Sequence, residues 1–465
     1  MKSIKYHLIL LVIPLFLISC EDFLEVKPPD SKLVGKEVFS SDATAISAME
    51  GIYNELFQSA FSNGYSSSVT VLSGLSADRI HNINTGNDSR MQFEQNEILP
   101  DNTNNLYIWA SAYNIIYMTN ALLEGLENSN EITPDLSLQL EGEARFIRAF
   151  TYFYLVNLYG DVPLILTTDY NVNRLASRIP ISEVQDNIIE DLGFSVDVLN
   201  PEYRDGERTH VNKFAAIALL ARVYLYLEDW EKAEMMSTKV IEEASMYGLT
   251  DLNEVFLANS KEAIWQISPI GGGGYASNTY EGNFFIIHPI FSFLAAVKLD
   301  ENFVENFHAN DGRLLNWIGY NEAKQAHFAY KYKIWSSTEF PIEEYSMVLR
   351  LAELYLIRAE ARAEKGDIAG SMQDLDTIRD RAGIDLIADT QPEITQDDLL
   401  MEILAERSKE LFAEWGHRWL DLKRTGKAQE VLGSNNPYWE STDVLYPIPE
   451  EERKKNPNLS QNPGY

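Results

Sequence analysis

The chain has 465 residues, one cysteine, and 38 lysines and arginines against 70 aspartates and glutamates, so its formal net charge is −32. A surface this negative repels phosphate backbones, which excludes nucleic acid as a natural partner. A single cysteine excludes an internal disulfide and a thiolate zinc site. With 45% hydrophobic and 11% aromatic residues, the chain is too apolar for a disordered acidic tail and is expected to fold.

Residues 1–19 have the pattern of an export signal. Two lysines precede residues 8–18, an uncharged apolar run that fits the roughly 7–15 residues of a signal-peptide core and falls short of the ~20 that span a bilayer. The four residues that end at Cys20 resemble a bacterial lipobox, in which acyl chains on the cysteine hold the protein on a membrane. The alternative is an ordinary secretory signal with a chance cysteine. Residues 20–34 form the anchor and a stem that a Pro-Pro pair stiffens.

Helical periodicity dominates the amino-terminal half of the body. Apolar residues recur every three or four positions in residues 46–57, 106–126, 144–159 and 184–199. This spacing places the apolar side chains on one face of each helix, which predicts helices that pack against one another.

An internal similarity indicates a repeat. Residues 219–241 align with residues 357–379 at a constant offset, which matches Asp229 with Asp367. The alignment also matches small residues, Ala221 with Ala359 and Ala233 with Ser371. Each segment contains two helices separated by a short break, close to the ~34 residues of a tetratricopeptide unit. The sequence therefore predicts a mainly α fold, a tetratricopeptide-like helical-hairpin solenoid.

Two stretches interrupt the helical pattern. Residues 69–105 are rich in Asn, Ser, Gly and Asp, and residues 264–341 have the pattern of short strands and loops. Loops this long inside a compact domain are usually functional. The sequence therefore predicts three regions. Residues 35–245 form a helical region, and residues 246–345 form a loop-rich, partly β region that binds the ligand. Residues 346–465 form a carboxyl-terminal region with the last helix pair and an extended tail.

Motifs for catalysis and metal binding are weak. The seven histidines form no HExxH pattern, there is no nucleophile elbow, and the glycine run at residues 271–274 lacks the Lys-Ser/Thr of a P-loop. The pair Glu343 and Glu344 could hydrolyse a glycoside only across a cleft, and residues 306–312 resemble a calcium loop without its closing Glu. The prediction is a protein without cofactor, metal or enzymatic activity, with hydrolysis and calcium as alternatives.

Aromatic and amide side chains in the loops suggest a binding site. A flat aromatic ring suits the C–H face of a sugar, and amides and charged groups supply hydrogen bonds to its hydroxyls. The candidate ligand contacts are Asp78, Arg79, Asn104, Tyr107, Tyr275, Asn278, Tyr280, Trp317, Tyr320 and Trp335. This mixture favours a neutral polar ligand. The alternative for each aromatic residue is that it fills the core beneath a long loop.

Several segments resemble one family in order along the chain. They are EARFIRAFTYFYLVNLYGDVPLI at residues 143–165, LRLAELYLIRAEARAEKGD from Leu349, and the ending from Tyr446 to Tyr465. Together with the start at Cys20 they resemble the SusD/RagB-type outer-membrane lipoproteins of Bacteroidetes. The resemblance implies about four tetratricopeptide-type helix pairs that carry a variable loop region. It assigns structural roles to Arg145, Arg148, Arg418 and Asp421, and it transfers no ligand-binding residue.

The same resemblance implies a function. Family members bind glycans, or in some cases peptides, at the cell surface and form the lid of a TonB-dependent transporter that resembles SusC. The expected protein is therefore anchored by lipid to the outer membrane, faces the exterior, captures an oligosaccharide or polysaccharide and delivers it to that transporter. The alternatives are a peptide-binding subunit, and a scaffold of the transporter lid with little ligand contact.

Overall fold

The computed structural model describes residues 38–269, 277–434 and 436–465. Within these ranges there are nineteen α-helices: α1 (Asp42–Gln58), α2 (Val69–Ser76), α3 (Asp88–Gln95), α4 (Thr103–Glu127), α5 (Pro134–Tyr159), α6 (Tyr170–Asn173), α7 (Ile181–Val198), α8 (Lys213–Tyr226), α9 (Trp230–Ile241), α10 (Tyr280–Phe285), α11 (Glu301–Glu305), α12 (Gly312–Trp317), α13 (Leu351–Glu364), α14 (Ile368–Ala382), α15 (Ile387–Thr390), α16 (Gln396–Glu410), α17 (His417–Arg424), α18 (Ala428–Val431) and α19 (Glu450–Lys455). The prediction of a mainly α fold is confirmed.

Six short strands accompany the helices in the described ranges: β1 (Ile80–Asn82), β2 (Ala263–Ile267), β3 (Val297–Leu299), β4 (Ile318–Asn321), β5 (Ala326–Ala329) and β6 (Ser346–Arg350). They form three antiparallel pairs, β1 with β3, β2 with β6, and β4 with β5. Most of these strands belong to the region that the sequence predicts to be loop-rich and partly β.

The long helices pack on one another in chain order. Contacts run from α1 to α4, then through α5, α7, α8, α9 and α13 to α14 and α16. Helix α7 shows why: Val184, Ile188, Leu192 and Ser195 recur every three or four positions, and all four are buried. None of the described helices is both long and apolar enough to cross a membrane.

The internal similarity corresponds to matching structure. Helices α8 and α13 begin and end at the offset that the sequence alignment predicts. Asp229 and Asp367 each occupy the N-cap of the following helix and accept the backbone N–H three residues on, at 3.2 and 3.0 Å. Ala233 and Ser371 are fully buried, and the Ser371 hydroxyl donates to the Ala359 carbonyl at 2.7 Å. The classification of these pairs as tetratricopeptide units stays a prediction.

Buried ion pairs join the helices where the family resemblance implies structural residues. Both Arg145 and Arg148 pair with Asp191, at 3.3 and 2.7 Å, and so connect α5 to α7. Asp421 pairs with Arg407 at 2.9 Å and connects α17 to α16. These contacts fix the helical body that carries the loops.

The two interrupting stretches meet in space. Strand β1 comes from residues 69–105 and β3 from residues 264–341, and they pair with Ile80 opposite Leu299 and Asn82 opposite Val297. The cleft described below lies where these two stretches approach each other.

Candidate functional site

An open cleft of about 330 Å³ lies between the two loop-rich stretches. It is lined by Tyr65, Ser66, Asn87, Arg90, Asn283, Phe284, Ile286, His288, Phe291, Leu294, Ala295, Ala296 and Trp335. The lining combines aromatic rings with amide, hydroxyl and guanidinium groups, and it contains no carboxylate among the described residues. It is therefore the candidate ligand site.

One wall of the cleft is a cluster of three rings. The His288 ring lies 4.9 Å from Phe291 and 4.6 Å from Trp335, measured between ring centroids. Phe291 and Trp335 lie 5.8 Å apart with their planes inclined by only 24°. Phe291 remains 41% exposed. The rings lean on one another with interplanar angles of 24–46°, and the partly exposed Phe291 gives the cluster an aromatic surface of the kind on which a sugar ring stacks.

Two side-chain amides hold this wall in position. The side-chain amides of Asn278 and Asn283 donate to the Trp335 carbonyl at 3.4 and 2.9 Å, and the Asn278 carbonyl oxygen accepts the Ser337 N–H at 3.0 Å. His288 Nδ1 accepts the N–H groups of the two residues that follow Pro289, both at 3.2 Å. Because Nδ1 is an acceptor, the proton of the neutral ring is on Nε2, which can donate a hydrogen bond.

The opposite side of the cleft is built from α10 and the loop after α1. Tyr65 contacts the Tyr280 ring at 5.5 Å and the Phe284 ring at 5.4 Å. Tyr280 itself stacks on Phe57 of α1 at 4.6 Å with an interplanar angle of 11°. These contacts connect the cleft to the helical body.

Arg90 is the charged residue of the cleft. It lies in α3, is only 6% exposed, and its Nη1 donates to the Ser66 hydroxyl at 3.3 Å. Its guanidinium carbon lies 5.6 Å from the centroid of the Phe284 ring. Burial lowers the pKa of Arg90 from its usual value. A buried cation that faces a cleft is typical of a binding site.

Three of the candidate residues lie at or beside the cleft. Trp335 lines it, and its contact with ligand stays a prediction. Asn278 is 5% exposed and acts through the Trp335 backbone, so the structure corrects its role from ligand contact to positioning residue. Tyr280 packs behind Tyr65 and does not belong to the lining.

Trp317 is a correction. Its side chain is fully buried, and its indole N–H donates to the Leu252 carbonyl at 2.8 Å. It packs edge-on against Phe256 at 5.6 Å. The prediction that Trp317 contacts ligand is wrong, and the alternative of core filling beneath a long loop applies to it.

Asp78 and Arg79 are engaged within the protein. Arg418 binds both carboxylate oxygens of Asp78 at 2.8 Å. Arg79 pairs with Asp78 at 3.0 Å, and its Nε donates to the Ser408 hydroxyl at 3.0 Å. These contacts connect the end of α2 to α16 and α17. Neither residue lines the cleft, and their role as ligand contacts stays a prediction.

The remaining candidates lie elsewhere. The Asn104 side chain accepts the Ser67 hydroxyl at 2.8 Å, and Tyr107 is 50% exposed on α4, but neither lines the cleft. Tyr320 is 48% exposed and pairs across the β4–β5 hairpin with His327. Tyr275 and Cys20 lie outside the described residues.

Sequence reasoning missed Arg90, His288 and Phe291. Two signals could have found them: Arg90 is one of only two arginines in residues 69–105, and residues 284–293 contain four phenylalanines and a histidine in a segment without helical period.

The alternatives of calcium binding and hydrolysis find no support at their named residues. Asp311, in the suggested calcium loop, is fully buried and binds Arg313 through both carboxylate oxygens, at 2.9 and 3.0 Å. Glu344 is buried and accepts two backbone N–H groups, and burial raises its pKa to about 6. Within the described ranges no group of three or more His, Cys, Asp or Glu is placed to hold a metal.

Comparison with known proteins identifies the family. A family model described as "Starch-binding associating with outer membrane" matches residues 22–225, and the "SusD family" model matches residues 316–465, so the two span well over half of the chain. The chain belongs to the SusD/RagB family.

The most similar proteins agree with this assignment. "SusD-like protein P2" of Formosa agariphila is 28% identical, and the alignment covers 99% of this chain and 100% of that protein. A SusD superfamily structure from Bacteroides vulgatus has a TM-score of 0.81 at 20% identity, covering 92% of this chain and 100% of that one. A structure described as a laminarin-binding SusD-like protein has a TM-score of 0.77 at 23% identity, covering 92% and 100%. The two structures establish a shared fold.

Proposed function

We propose that the protein is a lipid-anchored binding protein of the cell surface that captures an oligosaccharide or polysaccharide in the cleft and delivers it to a SusC-like TonB-dependent transporter. The observation that carries the proposal is the aromatic wall of His288, Phe291 and Trp335 beside polar groups in an open cleft. Cys20 provides the anchor and residues 20–34 the stem.

The chemistry of the cleft suits a glycan. The rings offer an apolar face for a sugar C–H face, and Asn283, Ser66 and His288 lie close enough to serve its hydroxyls. The cleft volume of about 330 Å³ is at the lower end of ligand pockets, roughly 300–1,000 Å³, so it holds a short part of a longer chain. Much of the glycan then stays in water, and the protein alone binds weakly.

The comparisons support a carbohydrate ligand and a binding role. The family model is described as starch-binding, and a solved relative as laminarin-binding. The described lining lacks the pair of carboxylates that glycoside hydrolysis requires. Capture without cleavage is the function that fits both observations.

Calorimetry with a panel of glycans, starch and laminarin included, tests the proposal. Trp335→Ala and Phe291→Ala should each weaken binding of the cognate glycan about tenfold, equivalent to about 1.4 kcal/mol, because each removes a stacking surface. Tyr320→Ala is the matched control, since Tyr320 is an exposed aromatic residue of the same region that does not line the cleft. Its affinity should equal that of the wild type.

Three outcomes contradict the proposal. Peptide binding in place of glycan binding would make the protein a peptide-binding subunit. Loss of uptake on deletion of the gene, with uptake unchanged by the two cleft variants, would make it a scaffold of the transporter lid. Equal loss of affinity in Tyr320→Ala would place the site away from the cleft.

A further inference from the structure

We infer that Arg90 binds one anionic group of the glycan, a uronic acid carboxylate or a sulfate ester, so that the cleft selects an acidic polysaccharide. The inference rests on the proposed function and names its substrate class. It departs from the neutral ligand that the sequence analysis expects.

Arg90 differs from every other buried arginine of the described residues. Seven others are buried, and each forms an ion pair with Asp or Glu: Arg148, Arg222, Arg313, Arg350, Arg358, Arg379 and Arg407. Arg90 forms none within the described ranges. In a chain with 70 acidic residues, the missing partner is not explained by a shortage of carboxylates.

The hydrogen-bonding capacity of Arg90 is largely unused. Nη1 donates to the Ser66 hydroxyl, whereas Nε is buried and has no hydrogen-bond partner among the described residues. A guanidinium presents its donors in a planar fork that matches two oxygens of a carboxylate or sulfate. Because Nε is closed off from solvent, the Nη groups at the end of the fork are the donors that an anion in the cleft would meet.

Burial explains why an anion is favoured over water. Desolvation disfavours the charged guanidinium, and no carboxylate of the protein contributes to offset it, which is why the pKa of Arg90 is lowered. An anionic ligand group would restore the missing opposite charge.

The negative charge of the whole molecule does not prevent this contact. The described lining contains no Asp or Glu, so the cleft is locally cationic. At physiological ionic strength, charges beyond the Debye length of about 8 Å are largely screened, whereas a contact at hydrogen-bond distance is not. Acids on distant faces therefore weaken the attraction only slightly.

The test uses the mature full chain and pairs of glycans that differ only in charge. Polygalacturonate and alginate oligosaccharides are compared with their carboxyl-reduced forms, and a sulfated galactan with its desulfated form; laminarin is the neutral reference. Neutral hydroxyls also accept hydrogen bonds from arginine, so only the difference in affinity within each pair shows whether the negative charge is recognised. We expect one acidic glycan to bind at least tenfold more tightly than its neutral counterpart, and the pair that shows this difference separates carboxylate from sulfate.

Substitutions at Arg90 test whether this residue causes the preference for the acidic glycan. Arg90→Met should reduce affinity for the acidic glycan to that of its neutral form and abolish the weakening of binding between 50 and 500 mM NaCl. Arg90→Lys should retain part of the preference, because it keeps the charge but loses the fork. Arg174→Met, at an exposed arginine outside the cleft, makes the same change in net charge and should leave binding unchanged.

Folding is monitored separately. Because it removes an uncompensated buried charge, Arg90→Met should unfold without ligand at the wild-type temperature or above it. The inference is overturned if neutral and acidic forms bind wild type equally, or if Arg90→Met weakens both alike. Absence of binding to every glycan, or binding unaffected by Trp335→Ala, would instead refute the proposed function.

Discussion

Glu281 is a buried acid in α10, the helix that also carries two lining residues of the cleft. The Ser346 hydroxyl donates to one of its oxygens, and the other has no hydrogen-bond partner among the described residues. Burial raises the pKa of Glu281 to about 7, and the nearby Glu344 and Glu414 add to the effect. The ordinary value is 4.5, so the unfolded chain releases this proton at lower pH than the folded protein does.

This difference in pKa between the folded and unfolded states predicts that the stability of the protein depends on pH. As pH rises from about 4.5 to above 7, the unfolded state is favoured by proton linkage, so Glu281 lowers stability at high pH and not at low pH. Glu281→Gln should therefore raise the free energy of unfolding at pH 8 by up to about 3 kcal/mol and leave it unchanged at pH 4.5. Urea unfolding of the wild type and of Glu281→Gln at the two pH values measures this change in the free energy of unfolding.

An exposed glutamate serves as the control for this experiment. Glu393→Gln should leave the pH profile of stability unchanged, because the side chain is in solvent. Parallel wild-type and Glu281→Gln profiles between pH 4.5 and 8 would show that Glu281 titrates alike in both states and would contradict the prediction.

Single residues of the cleft were only partly predictable from the sequence. Trp317 and Trp335 both lie outside helical periodicity, yet one is fully buried and the other lines the cleft. Arg79 and Arg90 lie in the same polar stretch, but Asp78 pairs with only the first. Which ring is exposed and which cation lacks a partner depends on contacts between distant segments, and local pattern carries no information on those.

At the scale of elements, the two aligned helix pairs differ at the position before the aspartate cap. Gly366 precedes the Asp367 cap with a φ of +83°, and Glu228 precedes the Asp229 cap with a φ of +56°. A side chain at positive φ is strained because its Cβ approaches the carbonyl oxygen, whereas glycine is not. Glu228→Gly should therefore stabilise the protein by about 0.5–1 kcal/mol despite the greater entropy of glycine in the unfolded chain. Chemical denaturation measures the change.

The matched variant adds a Cβ at the corresponding position of the other pair. Gly366→Ala should destabilise the protein by about 1 kcal/mol through conformation alone, because a Cβ at this position meets no atom within 4 Å. If Glu228→Gly is destabilising while Gly366→Ala behaves as expected, contacts of the Glu228 side chain outweigh the strain, and the prediction fails.

Helices were more predictable than the pairing of strands. The 3.6-residue period and the aspartate caps locate α8, α9, α13 and α14, because both signals are local. The β1–β3 pair joins Ile80 to Leu299, more than two hundred residues away in sequence, and three-residue strands carry no pattern that selects a partner. The cleft depends on this pairing, which is why its lining could not be assembled from sequence.

At the scale of the whole molecule, a buried charge cluster connects the loop-rich region to the carboxyl-terminal helices. Arg350, at the end of β6, pairs with Glu262 at 2.9 Å, Glu410 at 2.6 Å and Glu414 at 2.8 Å. Arg381 binds Glu262 and Glu410 as well. Burial alone would raise the pKa of Glu410, but the attraction of Arg381, Arg350 and other cations lowers it well below its usual value.

Removing the central cation should destabilise the entire fold. Arg350→Met keeps the length of the side chain but leaves its three carboxylate partners short of positive charge, for which a loss of about 3–5 kcal/mol is expected. Because β6 also pairs with β2 of the loop-rich region, both regions should unfold together at lower urea, with coincident far-ultraviolet and tryptophan signals. Lys455→Ala, which breaks an exposed pair with Glu452, should leave the midpoint unchanged. A loss below about 1 kcal/mol in Arg350→Met, or two separate transitions in the wild type, would show that the cluster does not couple the two regions.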